Sequence, residues 1–221
     1  MKLAALLFFV SFLPACSGET RTASNALGRD PIPAATPDRS VEAVVPDTPK
    51  TTWEPIYFQS IDKATASTGF ERLRESKVAD TDIEVRVWAG FGKTLLKGFL
   101  LKRDGSAWTA YRIGPDEGRY PFQLKKFVIT EPRIGWESAW HSLLQQNILS
   151  LPDARSINCE ARYADGYSYV VEIKKGPNYR TYMYGNPWAK FENRCNEADE
   201  ILNIAGTITN DYGISGFRWD D

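Results

Sequence analysis

The chain has 221 residues and a formal net charge of -1, with 25% charged and 43% hydrophobic residues. That is an ordinary globular balance, without the excess of positive charge on which nucleic-acid binding draws. A single histidine, His141, rules out a two-histidine metal site within one chain, and no residue pattern calls for a cofactor.

Lys2 followed by the apolar run Leu3 to Phe12 has the form of a secretory signal, too short to cross a bilayer as a mature helix. Residues 1–15 are read as removed. The next residues, Leu13-Pro14-Ala15-Cys16, resemble the lipobox of bacterial lipoproteins, with a small residue before the cysteine and Pro14 as a slight departure from the commonest pattern. The resemblance implies cleavage before Cys16 and a di- or triacylated cysteine, which would hold the chain to a membrane where a single myristoyl chain would not. Ser17 in place of Asp is similar to the enteric pattern released to the outer membrane, so the resemblance implies an anchor there, facing the periplasm. The motif covers the first sixteen residues only.

Residues 16–50 are rich in Ala, Thr, Ser and Pro and almost free of aromatic or periodic apolar residues, so they cannot bury enough surface to offset chain entropy. This stretch is expected to be a disordered tether, partly extended by its prolines, with a docked arm as the rival reading. Residues 51–221 have the length of one domain, expected to be α+β. Ile61 to Asp82 has no clear period, although Thr68 and Glu71 have the spacing of a capping box for a short helix.

Ile83-Glu84-Val85-Arg86-Val87-Trp88 alternates as a strand with one buried face. Gly90-Phe91-Gly92-Lys93-Thr94 ends like a phosphate-binding loop, but Val87 stands where that loop needs a glycine and Leu95 onward reads as strand, so a glycine turn is expected. Leu95 to Arg103 and Ala107 to Ile113 flank Asp104-Gly105 and predict a hairpin; Gln123 to Thr130 predicts another strand. Trp136, Trp140, Leu143 and Leu144 recur at helical spacing ahead of Pro152. Ile157 to Tyr163, Tyr167 to Lys174 and Asn178 to Tyr184 read as a three-strand meander, and Ala198 to Tyr212 as a final helix stopped near Gly213. The sum is a mainly antiparallel sheet packed by about two helices, one of them covering a face.

With Cys16 taken by lipid, Cys159 and Cys195 remain as an even pair in an oxidising compartment, and a disulfide between them is predicted. A thiol nucleophile or metal ligand is the weaker reading, since neither cysteine has a second cysteine or histidine at ligand spacing.

Three kinds of site come from the folded part. His141 lies four residues from Glu137 and beside Ser138 and Ser142, without any nucleophile-elbow pattern. Asp153, Glu160, Asp165 and Glu172 are close enough in sequence to supply a carboxylate pair for an envelope hydrolase. Tyr167 and Tyr169 point together with Val171 and Ile173, Tyr182 and Tyr184 share a face, and Trp188 follows. These aromatics are either core or a groove for glycan, peptidoglycan or extended peptide, with core the favoured reading. Lys125-Lys126 and Lys174-Lys175 read as solvated strand ends. The sequence therefore points to a lipid-anchored envelope protein that binds an envelope protein or glycan and does not catalyse; no nucleic acid and no cofactor enters that reading.

Overall fold

A computed structural model describes residues 53–91, 94–116, 118, 121–159, 166–189 and 195–217. The signal segment, Cys16 and the tether lie outside the described residues, as do Glu160 and Asp165. Helix α1 (Glu54–Thr68) precedes four strands, β1 (Ile83–Phe91), β2 (Thr94–Asp104), β3 (Ala107–Pro115) and β4 (Leu124–Ile129). Helix α2 (Trp136–Gln145), a single 3-10 turn (Ala154–Ile157), β5 (Ser168–Lys175), β6 (Asn178–Gly185) and α3 (Asn196–Asp211) complete it. The six strands form one antiparallel sheet in the order β4-β3-β2-β1-β5-β6, an α+β fold in which β1-β2-β3 is a meander.

The turns follow from local chemistry. Gly105 sits at φ 59° between β2 and β3, and its N–H donates to the Asp82 carboxylate at 2.8 Å; Gly176 sits at φ 55° between β5 and β6. Thr94 opens β2 and not a helix, so Gly90 and Phe91 end a strand with positive φ, as a turn between strands requires.

Two sequence expectations give way. Thr68 does not open a short helix: it closes α1, its hydroxyl donating to the Ala64 carbonyl at 2.7 Å, and Gly69 follows in the left-handed conformation. The buried positions of α1, Phe58, Ile61, Ala64, Thr65 and Thr68, do recur at three and four, but Ala and Thr carry little hydrophobic contrast. Ile157 does not begin a strand either. It ends a 3-10 turn whose N-cap is Asp153, and Asn158 at φ 54° turns the chain away. Of the three-strand meander expected over 157–184, the described residues form the hairpin β5-β6, and residues 160–163 lie outside the described residues. Three α-helices pack the sheet among the described residues, α1 being the one without a clear period in the sequence.

Alternation along the strands sends residues to two different cores. Val85, Val87, Phe99, Leu101, Tyr169, Val171, Tyr182 and Tyr184 face α2 and α3, against Trp140, Leu143, Ile201, Ile204 and Ile208. Trp88, Leu100, Ile113, Val170 and Met183 face α1, against Trp53, Phe58 and Ile61. Because both faces are covered, β1 is buried along its whole length. Trp88 lies flat on β2 where Gly98 has no side chain; a Cβ there would fall 2.7 Å from the indole ring. Cys159 and Cys195 are paired as a disulfide with Cα atoms 5.9 Å apart, tying the segment after the 3-10 turn to the start of α3.

Candidate functional site

The aromatic residues singled out above belong to the core. Tyr169, Tyr182 and Tyr184 are no more than 1% exposed and Tyr167 is 8% exposed. Register explains their grouping: Tyr169 pairs with Tyr184 and Val171 with Tyr182 across β5-β6, so all four residues face α2 and α3. Their hydroxyls donate to backbone carbonyls. Tyr182 reaches Ile148 at 2.8 Å and Tyr184 reaches Pro152 at 2.7 Å, while Tyr167 and Tyr169 both reach Phe217, at 3.3 and 3.2 Å. Arg180, on the same face, donates to the carbonyls of Leu149 (3.0 Å) and Leu151. The rings therefore fasten two irregular segments to the sheet and turn no face to solvent. Trp188 is half-buried, 5.8 Å from the Tyr167 ring, beside the turn at Asn186.

The carboxylates are likewise engaged. Asp153, 3% exposed, accepts from the Trp53 indole at 2.9 Å and from the backbone N–H groups of Met183 and Arg155, each at 3.0 Å, so it joins α1, the 3-10 turn and the edge of β6. Glu172, 1% exposed, accepts from the Trp88 indole at 2.8 Å and from the Tyr179 hydroxyl at 2.9 Å. Burial pushes its carboxyl above the ordinary range, against the opposing pull of Arg86 and of those two donors. On α2, Glu137 accepts from the Trp108 indole at 3.1 Å and the Ser142 hydroxyl donates to the Ser138 carbonyl, while His141 stands exposed. Neither Glu137 nor Ser142 is turned to His141, so the acid/base pairing that the spacing allowed is not formed.

Sequence reading missed a network of charges beneath α1. Arg86 lies opposite Glu172, and Glu84 opposite Lys174, across β1-β5. Arg86 also donates to Glu84 at 2.7 Å and to the Glu71 carbonyl at 2.7 Å, and Lys174 reaches the Arg74 carbonyl at 3.3 Å. These charges hold the 70–76 segment down on the sheet. The signal was present: Glu84/Arg86 and Glu172/Lys174 are alternate residues of opposite sign, which pair in this way only when their strands run antiparallel in this register.

Above the network lies an open groove of about 460 Å³, formed by α1 and the 70–75 segment, with Phe70 as its apolar wall and Asp62, Glu71 and Glu75 as its carboxylates. Arg74 grips Asp62 with two hydrogen bonds, at 2.8 and 2.6 Å, and Arg72 bridges Asp62 and Glu75. Most of the groove's charge is thus neutralised within it. Among the described residues no group of three or more His, Cys, Asp and Glu side chains could hold a metal ion, and no helix is long and apolar enough to cross a membrane. No protein-family model matches the chain, and neither a curated protein nor a solved structure is significantly similar to it.

Proposed function

We propose that this chain is a lipid-anchored cell-envelope protein, held to a membrane through Cys16 and placed at the outer membrane facing the periplasm, whose folded part binds an envelope partner and does not catalyse. The observation that carries the anchor is the signal segment running directly into Leu13-Pro14-Ala15-Cys16, followed by the proline-containing stretch up to residue 50. Support for binding over catalysis comes from the site chemistry. Asp153 and Glu172 are buried and hydrogen-bonded to the protein, and Glu137 and Ser142 bond elsewhere than to His141. An acid/base pair has to meet a substrate in a cleft; the two carboxylates meet only the protein, and His141 is exposed on α2 without a partnered acid or nucleophile beside it.

Metabolic labelling with a palmitate analogue tests the anchor. The chain takes up label, and Cys16→Ser abolishes it; label persisting on the variant overturns the anchor. Peptidoglycan and glycan binding by the chain from residue 16 onward tests the alternative of a glycan reader, which requires saturable binding that Trp188→Ala weakens.

A further inference from the structure

The face of the sheet under α2 and α3 is covered over β1, β5 and β6, but toward β4 it carries charges at partly open positions. Lys97 of β2 lies opposite Ala89, one residue before the Gly98–Ile113 pair, which puts it level with Gly114 of β3; Gly114 in turn lies opposite Lys125 of β4. One row of the sheet thus reads lysine, glycine, lysine. Arg112, two residues before Gly114 and on the same face, leans into that row. A Cβ on Gly114 would fall 3.1 Å from its Nη1, so the guanidinium occupies the space the glycine leaves. Phe127, opposite Arg112, holds the guanidinium from the other side, with Cζ 4.1 Å from the ring centroid.

Lys97, Arg112 and Lys125 thus stand on one face of three adjacent strands around Gly114, in a protein whose net charge is only -1. Lys97 donates to the Gly216 carbonyl, and Lys125 pairs with Asp116 at 2.7 Å. Arg112 has no hydrogen bond or ion pair among the described residues; its contact is the Phe127 ring. A guanidinium held over an aromatic ring with its N–H fork unfilled, and with lysines on the two adjacent strands of the same face, is an arrangement suited to a tetrahedral oxyanion.

We infer that Lys97, Arg112 and Lys125, arranged around Gly114, form a binding site for a phosphate group. The site rests on the binding half of the proposed function and is independent of the anchor. Two sources present this chemistry: a phosphate ester free or on a polymer, and the phosphate of an anionic lipid headgroup. Arg112 is the fork, Phe127 its support, Gly114 the space it needs, and the lysines set the local potential.

The test uses the chain from residue 16 onward with Cys16→Ser, so that neither the apolar leader nor an acyl chain reaches a bilayer. It is titrated with inorganic phosphate, and separately with vesicles of phosphatidylglycerol or of phosphatidylcholine alone. Saturable phosphate binding is expected. Arg112→Gln weakens it roughly tenfold, the scale of one charge-assisted bidentate contact. Arg112→Lys and Gly114→Ala, which keep every charge but spoil the fork or its space, weaken it several-fold, and a thermal melt checks each variant's folding. Phosphatidylglycerol vesicles binding alongside free phosphate assigns the site to a headgroup; phosphate binding without vesicle binding assigns it to a soluble or polymer-borne ester, and both support the site. Absence of saturable phosphate binding overturns it. So does unchanged affinity in Arg112→Lys and Gly114→Ala, or an equal loss on changing the exposed Lys77 to Gln, since either result means diffuse charge and not a built site.

Discussion

On the face of the sheet under α2 and α3, the polar groups on the inner strand β5 and its neighbour β6 are mostly tyrosine hydroxyls aimed at backbone carbonyls. On the face under α1, β5 and its other neighbour β1 bury full charges set opposite one another, Arg86 to Glu172 and Glu84 to Lys174. Strand β1 supplies both faces from alternate residues, so the difference is one of chemistry and not of position in the fold. A neutral hydroxyl removed from its carbonyl leaves a modest debt, because a carbonyl has lone pairs to spare and the ring stays packed. A charge removed from its partner leaves the other charge buried alone, and that costs several-fold more.

The contrast can be broken most forcefully at Arg86. Arg86→Ala strands the Glu84 and Glu172 carboxylates and frees the Glu71 carbonyl, and about 3–5 kcal/mol of stability should be lost. Chemical denaturation reads this directly; a loss under about 1 kcal/mol would mean that the charges on this face are hydrated and equivalent to surface pairs. Tyr182→Phe, on the other face, should cost about 1 kcal/mol by the same measurement, since only its bond to the Ile148 carbonyl goes. A cost equal to that of Arg86→Ala would erase the distinction between the faces.

The smallest effect is a dependence on pH. Burial raises the Glu172 carboxyl in the folded protein, so the folded state holds this proton at pH values where the unfolded chain has released it. The stabilisation that follows is complete below the ordinary carboxylate value and is lost as pH rises through the raised folded value. Relative to Glu172→Gln, the unmodified protein should therefore lose stability on going from acid toward neutral pH. Denaturation midpoints of both proteins across that range check the sign, and a gap that widens in the opposite sense would show that Arg86, Trp88 and Tyr179 outweigh burial.

Much of this architecture could be read from the chain because alternation and tight turns are local. Ile83 to Trp88, the pair flanking Asp104-Gly105, and the Trp136/Trp140/Leu143 stripe each became the element their spacing implied. Helix α1 was illegible because its buried face is built partly from Ala64, Thr65 and Thr68. Ile157 misled because an apolar residue at the end of a 3-10 turn looks like the start of a strand. The tyrosine rows were legible as rows, but whether a row faces a helix or water depends on what packs against the sheet, and α2 and α3 are distant in sequence. The cationic cluster was hidden because Lys125-Lys126 reads as a solvated strand end, and Lys97, Gly114 and Lys125 become neighbours only through the register of the strands.

The strand order also sets a schedule for a chain that emerges from its N-terminus. β1 to β4 are joined by short connections and can zip up one edge as they appear, but the other edge of β1 must wait for β5, which follows α2 and the 3-10 turn. Until then Val85, Val87 and Trp88 lie on a strand with open backbone hydrogen-bonding groups along one side, the condition under which chains add to one another end to end or edge to edge. The Arg86–Glu172 and Glu84–Lys174 pairs sit on that last seam. Besides holding the finished sheet, they pin the register in which β5 closes it, since a slip of two residues either way along β1 sets Glu172 against Glu84 or Lys174 against Arg86.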